Sequence, residues 1–181
     1  MAKIIDLNAE AAPQTLSALQ MVRRNIQLEP SAVLRGPEGK KEYPGVVSCT
    51  FNSGNRSLGK QQLLAEEFEG FVAMLRDKAD NGFGEVEQEK TYKTAAQIAE
   101  ETMTLVAVDE ETGDILDDGE PTHIQFRTRA GDRGLKPARI GLAEFGDVVA
   151  FLETRTARIT AAVATLAEAE PEAADDADDA E

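Results

Sequence analysis

The chain has no tryptophan, one cysteine, one histidine and two tyrosines, and aromatic residues make up 5% of its 181 positions. A lone Cys49 can close no intramolecular disulfide and cannot by itself build a cysteine-rich zinc site, so neither a disulfide framework nor a structural metal is expected. No basic segment followed by an apolar run opens the chain, and no apolar run approaches the length that spans a bilayer. A soluble cytoplasmic protein without membrane contact is therefore expected, in a bacterial or phage-infected cell, with association with the nucleoid as one setting. His123 and Cys49 read most simply as one surface imidazole and one core thiol. Neither a nucleophile elbow, a phosphate loop nor a deaminase zinc motif occurs. The expectation is a protein that is not an enzyme and uses no cofactor or catalytic metal.

What the chain has in excess is negative charge, formally -15. Phosphate repels carboxylate, so this total argues at first against a nucleic-acid ligand. The charge is nevertheless segregated. Eight carboxylates and no base lie between Glu168 and Glu181, and seven more carboxylates lie between Asp109 and Glu120. From Pro121 to Arg158 the seven bases Arg127, Arg129, Arg133, Lys136, Arg139, Arg155 and Arg158 outnumber four carboxylates. The acidic turn DEETGD at 109–114 lacks the ligand spacing of a calcium loop and reads as a solvated hairpin tip.

The stretch Gly131 to Leu152 repeats an earlier one without a gap. Val47–Leu75 superposes on Ile124–Leu152 at an offset of about 77 positions, the mark of a duplicated structural unit. Gly54, Arg56, Leu58, Glu67, Phe68, Val72, Ala73 and Leu75 fall on identical residues at Gly131, Arg133, Leu135, Glu144, Phe145, Val149, Ala150 and Leu152. Apolar positions match as well, Val47 with Ile124 and Leu63 with Ile140.

In chain order, Pro13–Arg24 reads as a short helix, with a strand through Met21–Leu28 as the rival. Ser31–Arg35 and Lys40–Tyr43 read as a hairpin around GPEG, and Pro44 precedes a third strand, Val46–Asn52. There Val47, Cys49 and Phe51 take one face and Ser48, Thr50 and Asn52 the other. Leu58–Leu64 is the return strand, and Glu66–Lys78 has the apolar spacing of a helix. Helix Ala95–Glu101, strand Met103–Val108 and its partner Ile115–Leu116 follow. In strand His123–Arg129, Ile124, Phe126 and Thr128 point inward and Gln125, Arg127 and Arg129 outward. The last helix is predicted from Ala143 to Leu166, with Phe145, Leu152, Ile159 and Leu166 along one seam. Its later turns suit packing on the other unit or on a second subunit. The fold class is thus α+β: two antiparallel sheet-plus-helix units, each ββββα, at about 20–80 and 100–167, within one domain 1–167. The remainder, 168–181, cannot bury enough apolar surface to offset chain entropy and is expected to be a disordered acidic tail.

Arg127, Arg129, Arg133, Lys136 and Arg139 lie on one strand, its turn and the return strand, where a twisted sheet can hold them in one groove. A phosphate backbone needs such a line of cations, and single strands also need aromatic platforms, for which Tyr43 and Tyr92 are the exposed types. The alternative is that these arginines solubilise a sheet and pair with the acidic hairpin. GLKPARIGLAEF at 134–145 resembles the return-strand signature of the transcriptional positive-cofactor-four family, and two such units in one chain resemble the Whirly architecture. The resemblance implies single-stranded DNA binding across the sheets and assembly into homo-oligomers, through the last helix or a sheet. Carried over by position, Arg133, Lys136 and Arg139 are the implied contacts, and Arg56 and Lys60 their first-unit counterparts. The acidic tail resembles those of single-stranded DNA-binding proteins, which shield the groove or recruit replication proteins. Largely sequence-independent binding is expected, in replication, recombination or transcription, with RNA as a second ligand of the same chemistry. The competing reading is a protein-binding regulator or DNA mimic whose acidic surface engages a basic partner.

Overall fold

The computed structural model describes residues 16–36, 39–51, 58–86, 93–129 and 136–169. Arg56, Arg133, Tyr92 and the acidic segment from 170 onward lie outside them. Helix α1 (Ala18–Asn25) opens on a capping box: Ser17 Oγ accepts from the Gln20 N–H at 3.2 Å, and Gln20 Oε1 accepts from the Ser17 N–H at 3.0 Å. Strand β1 (Gln27–Gly36) follows. The helix reading holds through Arg24, and the rival strand through Met21–Leu28 does not, since Met21–Asn25 is helical and extended structure begins only at Gln27.

Strand β1 pairs antiparallel with β2 (Gly39–Cys49), which pairs with β3 (Gln61–Leu64). A 3-10 turn (Ala65–Glu67) then leads into α2 (Phe68–Asn81), ended by Gly82 at φ 84°. The sequence predicts four strands before this helix, and the described residues hold three. Strand β2 runs through Pro44 because β3 flanks only its Val46–Cys49 end. The rest of β2 has β1 on one side alone, the edge setting in which a missing N–H is tolerated.

Helix α3 (Ala95–Thr102) carries a second capping box, from Thr94 and Gln97. The second sheet has the order β5-β4-β6-β7, built from β4 (Thr104–Val108), β5 (Ile115–Leu116), β6 (His123–Phe126) and β7 (Ala138–Gly141). Another 3-10 turn (Leu142–Glu144) leads into α4 (Phe145–Ala169). The predicted alternation holds on the inner face, where Val47, Cys49, Phe51, Ile124, Phe126 and Thr128 are all buried. It fails on the outer face of the first sheet, since Val46 and Ser48 are buried as well.

One continuous core joins both sheets and all four helices. At its centre the Phe126 ring lies 5.8 Å from Phe51 and 6.0 Å from Phe71. The later turns of α4 turn back onto the first sheet: Ile159 is buried, and Leu166 Cδ1 lies 3.8 Å from where a Cβ on Gly45 would stand. The packing on the other half of its own chain, one of the two expected for this helix, is thus present.

The halves also exchange caps. Glu144, just before α4, accepts from the Ala18 and Leu19 N–H groups of α1 at 2.9 and 3.4 Å. Glu67, just before α2, accepts from the Ala95 N–H of α3. Each carboxylate satisfies donors that a helix N-terminus leaves unpaired.

Candidate nucleic-acid interface

The predicted cations divide into three places. The first is a crossing of two segments, 58–60 before β3 and 136–137 before β7. The Gly59 N–H donates to the Pro137 carbonyl at 3.1 Å, and a Cβ on Gly59 would stand 2.9 Å from Lys136 Cβ. A backbone approach this close requires glycine, because any side chain would displace the Lys136 stem. Lys60 and Lys136 are thereby brought to one locality, and both are exposed.

Gln61 fastens this crossing from below. It is fully buried, and its Nε2 donates to the Lys136 carbonyl at 2.7 Å and to the Gly59 carbonyl at 3.2 Å. Its Oε1 accepts from the Thr128 N–H at 3.1 Å. Arg129, the next residue, sets Nη1 3.5 Å from Gln62 Oε1 on β3. Lys60, Arg129 and Lys136 are therefore drawn to the same junction of the two sheets. Lys60 also pairs with Glu29 on β1, whose carboxyl is held below its ordinary value chiefly by that hydrogen bond.

Arg127 and Arg129 lie just beyond β6, which ends at Phe126, whereas the sequence predicts them on the strand. The ladder stops because side chains take over the backbone. Thr102 Oγ1, at the end of α3, accepts from the Arg127 N–H at 3.0 Å and shares its one proton between the Ile98 carbonyl at 2.7 Å and the Arg127 carbonyl at 3.2 Å. The Arg127 side chain stays exposed.

Arg139 occupies the second place and corrects the expectation of an open cation. It stands opposite Gln125 on the outer face of the second sheet, as alternation requires, yet it is 4% exposed. The tip of the β4–β5 hairpin folds over it. Nη1 donates to the Gly113 carbonyl at 2.8 Å and Nη2 to Gln125 Oε1 at 2.9 Å, and burial pulls its pKa downward. Arg139 ties the acidic hairpin to the sheet, so a ligand crossing this face meets the hairpin first. The hairpin tip itself is an Asp109 turn: its carboxylate accepts from the Glu111 and Thr112 N–H groups at 2.9 and 2.8 Å, which lowers its pKa.

Tyr43 defines the third place. It lies six residues along β2 from Cys49, roughly 20 Å at the rise of a strand, and Lys41 Nζ sits 5.4 Å from its ring centre. The aromatic platform is thus separated from the cation junction. Lys41, two residues from Tyr43 on the same strand, is a further cation on the face of that aromatic. Arg56 and Arg133 fall outside the described residues.

His123 is half-buried, with Thr122 Oγ1 2.9 Å from Nδ1. Desolvation, then the Arg139 charge, push its pKa below the ordinary imidazole value. Cys49 is buried and its thiol is pushed up to about 12 by desolvation, which leaves no thiolate for chemistry near neutrality. Among the described residues no group of three or more His, Cys, Asp or Glu is placed to hold a metal ion, and no helix is long and apolar enough to cross a membrane. Comparison with protein-family models, curated proteins and solved structures returns no match.

Proposed function

We propose that this chain is a non-catalytic single-stranded DNA-binding protein whose contacts are mainly to phosphate and hence largely independent of sequence. The observation that carries the reading is the convergence of Lys60, Arg129 and Lys136 where the two sheets meet, with exposed Arg127 beside them. A line of cations suits a phosphodiester chain, and these contacts are mostly phosphate-seeking cations rather than a base-reading set. The reading includes a Whirly-like duplication of one strands-plus-helix unit, function as a homo-oligomer in the cytoplasm, and a role in replication, recombination or transcription.

The duplication is supported by the position of four pairs of landmarks. Ser17 and Thr94, Gln61 and Ala138, Phe68 and Phe145, and Glu67 and Glu144 stand at one separation, that of the Arg76–Glu153 pair, 77 residues.

The test is a gel shift with single- and double-stranded oligonucleotides over a salt series. Preference for the single strand, with a log-log salt slope near about -0.7 per phosphate neutralised, is expected. Changing Lys60, Arg127, Arg129 and Lys136 together to Ala should flatten that slope by about 0.7 for each phosphate left without its cation, with the circular dichroism unchanged. Salt-independent binding, or full affinity in the folded quadruple variant, overturns the reading. The β4–β5 hairpin supports the competing reading, because Glu110, Glu111, Asp114, Asp117, Asp118 and Glu120 are all exposed around exposed Ile115 and Leu116. If the chain ignores oligonucleotides and instead captures a basic protein in a manner abolished by neutralising these carboxylates, it is a protein-binding regulator.

A further inference from the structure

The two halves differ most where their first helices meet the long ones. On α2 and α3, Lys78 Nζ meets Glu100 Oε1 at 2.6 Å in a largely buried ion pair. The residues at the same separation on α4 and α1 are Arg155 and Arg23. Here the acid is replaced by a second base. Both guanidiniums lie against the single ring of Phe151, Arg155 Cζ at 4.9 Å from its centre and Arg23 Cζ at 5.6 Å. Arg155 Nε is buried and has no hydrogen-bond partner, and neither arginine makes an ion pair among the described residues. The neighbouring charges deepen the contrast: Glu101 on α3 is matched by Lys93, whereas its counterpart Arg24 and the next base along α4, Arg158, are exposed.

Two like charges beside one ring repel each other. Cation–π attraction is weak where the cation stays in reach of water, so the pair lacks the counter-charge that its equivalent has in Glu100. A tetrahedral oxyanion has the charge and the geometry for it, since guanidinium forks bind phosphate through paired N–H donors.

We propose that the α1–α4 seam is a phosphate-binding site in which Arg155 and Arg23 hold the oxyanion and Phe151 keeps both forks in place. The ligand class is a phosphate group, either free on a small molecule or within a nucleic-acid strand. The site uses none of the residues of the Lys60–Lys136 junction and stands independently of the function proposed above.

The experiment follows the arginine Nε–H resonances of the full chain by NMR, at constant ionic strength, during titration with inorganic phosphate and, separately, with oligothymidylate. Selective shifts of the Arg155 and Arg23 signals are expected. Arg23→Glu rebuilds the ion pair of the other half, so it should raise the melting temperature in phosphate-free buffer and weaken the phosphate response at least about tenfold. Arg155→Lys keeps the charge, loses the fork, and should weaken it as well. A response to phosphate but not to the strand assigns a small-molecule ligand, and the reverse assigns the strand. A phosphate response that survives in the quadruple junction variant shows the two sites to be separate. Absence of both responses in the wild-type chain, or an undiminished response in folded Arg23→Glu, overturns the proposal.

Discussion

Arg76 on α2 and Glu153 on α4 meet as a fork, with Nε donating to Oε1 at 2.9 Å and Nη2 to Oε2 at 2.6 Å. The pair joins the two long helices at residues 77 apart in the chain, and Asp80 adds a second carboxylate 3.5 Å from Nη1. Both partners are solvent-accessible, so salt should screen the attraction. In a double-mutant cycle of Arg76→Ala and Glu153→Ala, the coupling should be measurable by urea denaturation in dilute buffer and absent in molar salt.

Gln61 serves three backbone groups from a fully buried position. Gln61→Leu keeps the volume but leaves the Thr128 N–H and the Lys136 carbonyl dry, a change worth about 1–3 kcal/mol. The stability read from urea denaturation should fall by that amount. Because Gln61 also fixes the backbone beneath Lys136, strand affinity in the gel shift should fall even under conditions where the variant remains folded.

Arg139 should behave in the opposite way. Arg139→Ala removes the hydrogen bonds to the Gly113 carbonyl and the Gln125 side chain, so a loss of about 1–2 kcal/mol in stability is expected. Affinity for a single strand should stay within about twofold of wild type, a difference of less than about 0.5 kcal/mol. A loss comparable to that of Lys136→Ala would place Arg139 among the direct contacts.

Acid should act on several groups with different signs. Glu29 and Glu153 have folded pKa values below the unfolded ones, chiefly through hydrogen bonds from Lys60 and Arg76. Their stabilisation is present above the unfolded carboxylate value and is lost as pH falls through the folded value. His123, depressed mainly by desolvation, follows the same rule from a higher starting point: its contribution is present above the ordinary imidazole value and disappears as pH falls through the folded one. Glu67 is raised, first by desolvation, so its contribution is present below the unfolded value and lost as pH rises through the folded value. Glu67→Gln should therefore gain stability relative to wild type at neutral pH and lose that advantage near about pH 4, as read from paired melting curves.

Much of the scaffold was legible because periodicity reports facing. The inner set Val47, Cys49, Phe51, Ile124, Phe126 and Thr128 and the helices near Glu66–Lys78 and Ala95–Glu101 follow from spacing alone. What periodicity does not report is covering. Arg139 faces outward as its register demands, but the carbonyl that buries it comes from Gly113, 26 residues earlier, and nothing local to Arg139 encodes that. Strand β2 passes through Pro44 for a similar reason, since the missing neighbour that makes proline tolerable belongs to β3. The Arg23–Arg155 pair escaped because its two members lie on different helices and gain meaning only beside the Lys78–Glu100 pair.

The exchange of caps has a consequence for the order in which the molecule is made. Helix α1 leaves the ribosome early, but the acceptor for its Ala18 N–H is the carboxylate of Glu144, 126 residues later. Helix α1 is therefore completed only after the segment carrying Glu144 has been made. Until the second half emerges, the first has an exposed apolar flank and unpaired donors, so nascent chains stalled before residue 144 should be open to protease while full-length chains are closed.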